Sequence, residues 1–367
     1  MIRICGFRGV RDLTVGFDSP ITAFSRLNGA GKSTVGQLAV CAYKKPTTAL
    51  SYKRFYVKDF FPVSAADPRP FEPDAKIEYS YETTDRQQPQ EVTVSRANRD
   101  WSGYKRQPER AAYYVGFTLY IPKVERRDLS VYRGAAIELR GVRNFSPEAR
   151  ARMSKILNQP YDELLFQEIA HKERGSELGV ASRFGARYSE NNMGFGEGRV
   201  LYMVDLLETA PVQSLFVLEE PETSLHEEAQ RRLAEYLMDV CDRRAHQVVL
   251  STHSSVLMDV LPVESRKLLY RDGVGVTEFP GISSTRARSI LSGGDFKALT
   301  ICVEDAFAAL VVTELIRRVD KTLLKAVRIE DIGDKKAVLN GVKLLQKLGH
   351  KAIALRDGDV GASSLSR

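Results

Sequence analysis

A glycine-rich segment near the amino terminus, NGAGKST, restricts the fold more than any other part of the 367-residue chain. It lies between a buried apolar run, ITAFSRL, and a stretch with the composition of a helix. Glycines in such a loop let backbone N–H groups turn towards a phosphate, and the helix that follows adds the positive end of its dipole. The pattern therefore predicts an α/β fold with a phosphate-binding loop. Its candidate nucleotide-binding residues are Asn28, Gly29, Ala30, Gly31, Lys32, Ser33 and Thr34.

Two side chains of this loop carry the predicted chemistry. We expect Lys32 to reach the β- and γ-phosphates of ATP, and Ser33 to offer its hydroxyl to Mg²⁺ as a metal ligand. The complete pattern, G-x-x-x-x-G-K-[ST], begins with glycine, where this chain has Arg26. Because the phosphate donors come from later residues, we expect Arg26 to be tolerated. A chance match in a loop that binds no nucleotide is the alternative.

Two further apolar runs end on polar residues. SLFVLEEPETSLH, residues 214–226, contains Glu219 and Glu220 at the end of its predicted strand. The first carboxylate is expected to order the water shell of a metal, and the second to polarise the attacking water. In STHSS, His253 follows another apolar run and is placed to contact the γ-phosphate. The candidate catalytic residues are therefore Glu220, His253 and Lys32.

Two glycine motifs resemble the signature sequence of nucleotide-binding heads. NMGFGEGRV, residues 192–200, opens a predicted helix before the Glu219 strand, and its candidate signature residues are Gly194, Phe195, Gly196, Glu197 and Gly198. LSGGD, residues 291–295, follows His253, whereas a signature sequence must precede the Glu219 strand. We therefore interpret LSGGD as a linker between domains.

The order of NGAGKST, MGFGEG, VLEEPETSLH and STHS resembles the ABC-type ATPase heads of the SMC, RecF and OLD (overcoming lysogenisation defect) group. The resemblance covers roughly residues 1–290. It implies an α/β head, expected at residues 1–292, with a mixed sheet, an antiparallel β-subdomain and a helical insertion at about residues 43–190. It also implies that ATP lies between the phosphate loop of one subunit and residues 194–198 of another. Glu220 would be the hydrolytic base, and Glu219 would stand where most relatives have aspartate. An aspartate introduced at Gly196 should then block turnover without unfolding the head.

The insertion has a strong local charge. KIEYSYET and QEVTVSR are predicted strands, and helices are predicted at residues 147–157 and 162–173. Residues 96–155 contain fourteen Lys or Arg against six Asp or Glu. Two interpretations are open. The stretch could be a nucleic-acid surface whose aromatic rings stack on bases. It could also be a solvated charged face whose aromatic rings turn inward. The aromatic residues concerned are Trp101, Tyr104, Tyr113, Tyr114 and Tyr120.

A β-α-β-α-β pattern is predicted after residue 293. Glu304, Asp357 and Asp359 fall at the carboxyl ends of its predicted parallel strands, where open α/β sheets place their sites. Three carboxylates there suit Mg²⁺ or Mn²⁺, although exposed strand ends without a metal are the alternative. The arrangement resembles a Toprim domain, which implies metal ions held for phosphodiester chemistry. The expected domain spans residues 293–367 and looks incomplete, because the chain ends eight residues after Asp359.

The sequence as a whole predicts a cytoplasmic protein with no membrane partner, because it has no membrane-length apolar run, no signal peptide and four scattered cysteines. Resemblance to OLD nucleases implies an ATPase that regulates nucleic-acid cleavage in defence against phage. It would assemble with itself through its heads, as a homodimer or higher oligomer, and bind nucleic acid. The alternative is an ATP-driven sensor or scaffold of a defence complex, whose degenerate Toprim segment docks a separate effector protein. A DNA clamp for repair is a third hypothesis, and it would not need a second metal site.

Overall fold

The computed structural model describes residues 1–25, 29–47, 53–83, 86–97, 100–121, 138–171, 174–271, 275–283, 287 and 297–356. The chain divides into two compact units, Met1–Gly281 and Ile282–Arg367. The expected domain boundary at residues 292/293 and the LSGGD motif lie outside the described residues. So do Arg26, Asn28, Asp357 and Asp359, and their predicted roles stay predictions.

The first unit is built of strands and helices that form three sheets. Its described strands are β1 (Ile2–Phe7), β2 (Val10–Val15), β3 (Ile21–Ser25), β4 (Phe71–Tyr81), β5 (Gln90–Ala97), β6 (Asp100–Ser102), β7 (Ala112–Val115), β8 (Glu138–Asn144), β9 (Glu163–His171), β10 (Arg174–Arg183), β11 (Ala186–Ser189), β12 (Leu215–Glu219), β13 (Gln247–Thr252), β14 (Arg266–Arg271) and β15 (Val276–Pro280). Its described helices are α1 (Lys32–Val40), α2 (Val57–Phe60), α3 (Pro147–Leu157), α4 (Phe195–Thr209), α5 (Glu227–Arg244) and α6 (Ser255–Val260).

The central sheet has six strands in the order β15-β14-β3-β13-β12-β7, and all but β15 run parallel to their neighbours. Strands β3 and β12 are buried along nearly their whole length, because apolar side chains pack on both faces of the sheet. Leu215 and Val217 of β12 face the core around α1, whereas Phe216 and Leu218 face the core around α4 and α5. The carboxyl ends of β3, β12 and β13 therefore meet at one edge, where the polar motifs follow.

A five-stranded antiparallel sheet, β2-β1-β4-β5-β6, covers the α1 side. Alternate residues of β4 are buried, among them Ile77 and Tyr79, as a half-buried strand requires. The strands predicted for KIEYSYET and QEVTVSR are thus confirmed as parts of β4 and β5.

A second antiparallel sheet, β11-β10-β9-β8, lies within the insertion. The helix predicted at residues 147–157 is confirmed as α3, which begins at Ser146, whose side chain accepts a hydrogen bond from the Ala149 N–H. The helix predicted at residues 162–173 is wrong, because residues 163–171 form β9. Strand β10 pairs with one edge of β9 as a hairpin, and the more distant β8 pairs with the other edge; together these pairings override the local helical pattern. The described insertion has one long helix and is otherwise mainly strands.

The second unit has the β-α-β-α-β order expected from the sequence. Its described elements are β16 (Leu299–Val303), α7 (Ala306–Val319), α8 (Leu323–Ala326), β17 (Val327–Asp331), α9 (Lys335–Lys347) and β18 (Ala352–Ala354). The strands form a parallel sheet in the order β17-β16-β18. Val312 of α7 packs on one face of this sheet, and Val338 of α9 packs on the other. Across both units, no described helix combines the length and the apolarity needed to cross a bilayer.

Candidate nucleotide-binding site

The phosphate loop leads directly into α1. Gly29 and Gly31 have φ values of 78° and 96°, a left-handed conformation that favours glycine. A Cβ atom on Gly31 would also lie only 3.0 Å from Val10 Cγ2. Helix α1 begins at Lys32, and Ser33 is exposed in its first turn. The described part of the loop, residues 29–34, therefore has the strand-to-helix geometry that the sequence predicts.

The three candidate catalytic residues converge at the edge of the central sheet. Lys32, which is 8% exposed, places its Nζ atom 3.4 Å from Nε2 of His253. The same Nε2 atom lies 3.2 Å from Oε1 of Glu220. These side chains come from the start of α1 and from the segments after β12 and β13. Because Nε2 either accepts from the ammonium or donates to the carboxylate, its role follows the tautomer of His253.

Glu219 ends β12 beside the same edge. Its Oε1 atom is buried and accepts no hydrogen bond from the part of the chain that the structure describes. Burial, reinforced by the Glu219 carboxylate, raises the pKa of Tyr114. A buried carboxylate oxygen without a donor is costly unless a cation or an ordered water reaches it. Glu219 therefore fits the predicted role near a magnesium ion.

The backbone at Glu220 is held in an uncommon conformation. Its φ of 44° is left-handed, which costs a residue with a side chain about 1–3 kcal/mol. The Glu220 N–H donates to the Ser251 carbonyl at 2.9 Å. Its own carbonyl accepts from the N–H of Thr223 at 3.1 Å and from the hydroxyl of Thr223 at 2.9 Å. These bonds turn the Glu220 side chain towards His253.

Arg199 is a buried residue of this site that the sequence-based reasoning missed. It lies on α4, is 1% exposed, and donates from Nη2 to the carbonyl oxygens of Glu219 at 2.6 Å and Glu220 at 3.1 Å. Burial lowers the pKa of Arg199, against the opposing effect of three nearby carboxylates, of which Glu222 is the strongest. An arginine directly before the apolar run VLYMV is a signal that could have revealed it.

Glu222 is a second missed residue, and it positions the loop that carries His253. Its Oε1 atom accepts hydrogen bonds from His253 N at 2.9 Å, Ser254 N at 3.3 Å and Thr252 Oγ1 at 2.5 Å. The residue is 6% exposed, so these bonds are protected from water. The sequence signal that could have revealed Glu222 is its position as the third carboxylate of EEPE.

The candidate signature turn forms the start of α4, with Gly194 as its N-cap. A Cβ atom on Gly194 would meet no other atom within 4 Å. A Cβ atom on Gly196 would lie 2.5 Å from the Ser224 carbonyl, and one on Gly198 would lie 2.2 Å from the Tyr120 ring. The expectation that an aspartate at Gly196 leaves the fold intact is therefore wrong, because the backbone of the acidic segment packs directly against that position. Gly194 is the position that accepts a side chain.

Glu197 and Phe195 of the signature turn contact residues inside the fold. Oε1 of Glu197 accepts hydrogen bonds from the hydroxyls of Tyr161 and Tyr188, both at 2.7 Å. Burial and the Glu197 carboxylate raise the pKa of Tyr188 to about 12, so the hydroxyl stays a donor at neutral pH. The ring of Phe195 packs at 5.8 Å from that of Tyr120. Glu197 thus ties α4 to the insertion.

The five aromatic residues of the basic stretch are buried or half-buried and pack against other rings. Trp101 stacks on Phe7 at 5.3 Å, and Tyr113 stacks on Phe216 at 5.1 Å. The remaining pairs are Tyr104 with Tyr56 at 5.2 Å, Tyr114 with Phe60 at 5.0 Å, and Tyr120 with Tyr202 at 5.6 Å. This packing favours the interpretation in which the rings turn inward.

The C-terminal candidate site is only partly described. Glu304 follows β16 and is half-buried. Backbone bonds from Ile332 and Leu355 to the end of β16 bring the ends of all three strands to one edge. Asp357 and Asp359 lie outside the described residues, and the described ones contain no group of three or more potential metal-ligating side chains. The three-carboxylate site stays a prediction.

A family comparison identifies the class of the head. The family model described as "AAA domain, putative AbiEii toxin, Type IV TA system" matches residues 27–259, well over half of the chain. The chain belongs to this family of AAA domains. The match spans the phosphate loop, the signature turn, the acidic strand end and His253, so the predicted ATPase class is confirmed. An ATPase family implies a nucleotide, usually with Mg²⁺. The OLD and Toprim assignments remain predictions.

Solved structures of SMC heads are similar to the chain at low identity. The SMC head domain from Thermotoga maritima is 15% identical, with a TM-score of 0.42 over 76% of this chain and 97% of that one. An SMC head bound to the C-winged helix domain of ScpA is 14% identical, with a TM-score of 0.48 over 76% of this chain and 97% of its own. An SMC head with an extended coiled coil, derived from Pyrococcus furiosus, is 14% identical, with a TM-score of 0.45 over 80% of this chain and 98% of its own. None of the curated proteins matches the sequence.

Proposed function

We propose that the chain is an OLD-type ATPase that binds and hydrolyses ATP at Lys32 and thereby regulates metal-dependent cleavage of nucleic acid in defence against phage. The observation that carries the proposal is the convergence of Lys32, His253 and Glu220 beside the phosphate loop. A cation and a carboxylate that both lie within hydrogen-bonding reach of one imidazole are the groups that phosphoryl transfer to water requires.

Each group has a distinct role in this proposal. Lys32 neutralises the charge of the β- and γ-phosphates at the amino end of α1, where the helix dipole adds to the attraction. Glu220 orients the attacking water and takes its proton, and its left-handed backbone keeps the carboxylate beside His253. His253 donates to the γ-phosphate when its ring leaves Lys32. Magnesium would supply Lewis-acid stabilisation of the phosphates, with Ser33 and Glu219 as its protein ligands.

The signature turn is proposed to act on the ATP of a second subunit. Gly194 has open space around it, so a partner's phosphate can approach the amino end of α4 closely. Hydrolysis per subunit should therefore rise with protein concentration until the oligomer is saturated. Concentration-independent turnover by a verified monomer would contradict the shared site.

The ATP site is tested by two substitutions, of which only one should impair nucleotide binding. Lys32→Ala should abolish nucleotide binding, because it removes the cation of the phosphate loop. Glu220→Gln should retain ATP affinity but lose turnover by roughly 10²-fold or more, because only the base is removed. Glu227→Gln is the control, since this carboxylate is exposed in the first turn of α5. Equal ATP affinity of the wild type and Lys32→Ala, by calorimetry, would refute the site.

The nuclease part of the proposal needs a test without nucleotide, because Mg²⁺ also accompanies ATP. Glu304, Asp357 and Asp359 would repel one another without a cation, so Mn²⁺ should raise the thermal stability of the wild type. Replacing Asp357 and Asp359 together with Asn should remove this stabilisation and the cleavage activity, while ATP hydrolysis survives. If both proteins respond identically to Mn²⁺, the segment is not a metal site, and the sensor or scaffold function replaces the nuclease.

A further inference from the structure

Helix α7 has apolar side chains on its outer face as well as on the face that packs on the sheet. Its inner face packs on the parallel sheet through Ala308, Val312 and Ile316. A surface helix ordinarily has polar residues on its opposite face. The outer face of α7 carries Glu314, Arg317 and Arg318, but it also has five exposed apolar side chains: Phe307 (73% exposed), Leu310 (67%), Val311 (40%), Leu315 (58%) and Val319 (82%). A cluster of exposed apolar side chains of this kind marks an interaction site.

The spacing of these residues is self-complementary. Phe307, Val311, Leu315 and Val319 follow one another at intervals of four, so they form a single ridge along the helix. The ridge is symmetric about position 313. If a second copy of α7 runs in the opposite direction, Val311 lies opposite Leu315 of the partner copy, and Leu315 lies opposite its Val311. A two-fold axis at that level therefore buries both ridges against each other, as an isologous interface requires.

The charges at the ends of α7 favour the antiparallel direction. Glu304 and Asp305 precede the helix, whereas Arg317, Arg318 and Lys321 lie beside Asp320 at or beyond its last turn and leave that end net positive. Glu314, one turn earlier, pairs with both arginines within the chain. An antiparallel pair places the acidic end of each copy beside the basic end of the other, and the two helix dipoles also oppose each other favourably. A parallel pair would place like charges together, which is unfavourable.

We propose that the outer face of α7, defined by the five exposed apolar residues, pairs with the same face of a second copy of this chain. The pairing does not rest on ATP binding or on the proposed enzymatic function. A contact made by one helix from each copy is smaller than a standard interface, so the association is expected to be weak and concentration-dependent on its own. In an oligomer also joined through its ATPase heads, the second contact would be strengthened by effective concentration.

The first test is sedimentation velocity of the full chain without nucleotide, over a wide range of protein concentration. The wild type should form a reversible dimer. Leu315→Glu should raise the dimer dissociation constant by about tenfold or more, because it desolvates a charge in the centre of the contact. Leu344→Glu is the matched control: Leu344 is 59% exposed on α9, against 58% for Leu315. Thermal unfolding and ATP binding should match the wild type in both variants.

The second test fixes the direction of the pair. Val311→Lys and Leu315→Glu should each dissociate the dimer, but an equimolar mixture should restore it, because the lysine of one chain then faces the glutamate of the other. A parallel pair would not be restored. The proposal is overturned by a monomeric wild type, whose α7 face would then belong to another partner. It is also overturned by equal effects of Leu315→Glu and Leu344→Glu, or by a mixture that stays monomeric.

Discussion

Removing the carboxylate of Glu222 should destabilise the ATPase unit and slow ATP hydrolysis together. Oε1 of Glu222 accepts hydrogen bonds from Thr252, His253 and Ser254, which join β13 to α6. In Glu222→Ala these donors have no acceptor at that position. The His253 backbone would then be free to move, and with it the imidazole that lies between Lys32 and Glu220.

The size of the effect follows from the donors that lose their acceptor. The Thr252 hydroxyl can rotate to another acceptor, and the Ser254 N–H also donates to Thr252 Oγ1 at 2.9 Å, so the His253 N–H is the donor most affected. A buried donor left unsatisfied costs about 1–3 kcal/mol, so Glu222→Ala should lower the free energy of unfolding by about that amount. For a domain of this size that corresponds to a fall in Tm of roughly 2–12 °C. Arg199 would also lose the strongest of the carboxylates that offset its burial.

Calorimetric melting and steady-state ATP hydrolysis measure the two consequences. Glu222→Gln retains an oxygen acceptor but loses the negative charge, so its Tm and turnover should fall between those of the wild type and Glu222→Ala. Glu227→Ala, which removes an exposed carboxylate nearby in the sequence, should leave both unchanged. If Glu222→Ala melts and turns over like the wild type, Glu222 does not position His253 and the reasoning fails.

Two further predictions concern glycine packing and pH. Gly194→Asp should melt like the wild type yet lose turnover in the oligomer, whereas Gly196→Ala should melt at a lower temperature; equal melting of the two variants would contradict the packing argument. Burial lowers the pKa of His246 below its usual value near 6.5, so the unfolded chain binds the proton more readily than the folded chain. The free energy of unfolding should therefore fall as the pH drops below about 6.5. The fall in the free energy of unfolding with decreasing pH should be smaller in His246→Gln than in His226→Gln, which removes an exposed histidine. Denaturant titrations at several pH values measure this free energy, and an equal pH dependence in the two variants would refute the prediction.

The positions of Lys32, Glu220 and His253 were predictable because each follows an apolar strand. Parallel strands in one sheet bring their carboxyl ends to the same edge, so three motifs far apart in the chain had to meet once the strands were recognised. The phosphate loop was equally predictable, since the left-handed backbone at residues 29 and 31 favours glycine. Helix α3 was predictable for a local reason, the Ser-Pro start that caps it.

Other features depended on contacts between distant segments. Residues 163–171 have a locally helical pattern, but they form a central strand because β8 and β10 satisfy their backbone on both sides. Glu197 belongs to the signature motif in sequence, yet its carboxylate accepts from two tyrosines of the insertion. Only the packing of α4 against the acidic segment shows that Gly196 excludes a side chain and that Gly194 does not.

The sequence by itself determined which residues can perform the chemistry, because a phosphate loop and strand-end carboxylates are local patterns. The tertiary structure decided how those residues are held. Arg199 and Glu222 bind backbone atoms about 20 and 30 positions away, and backbone acceptors and donors are the same in every residue type. Their partners therefore leave no mark in the sequence, and only the folded chain reveals them.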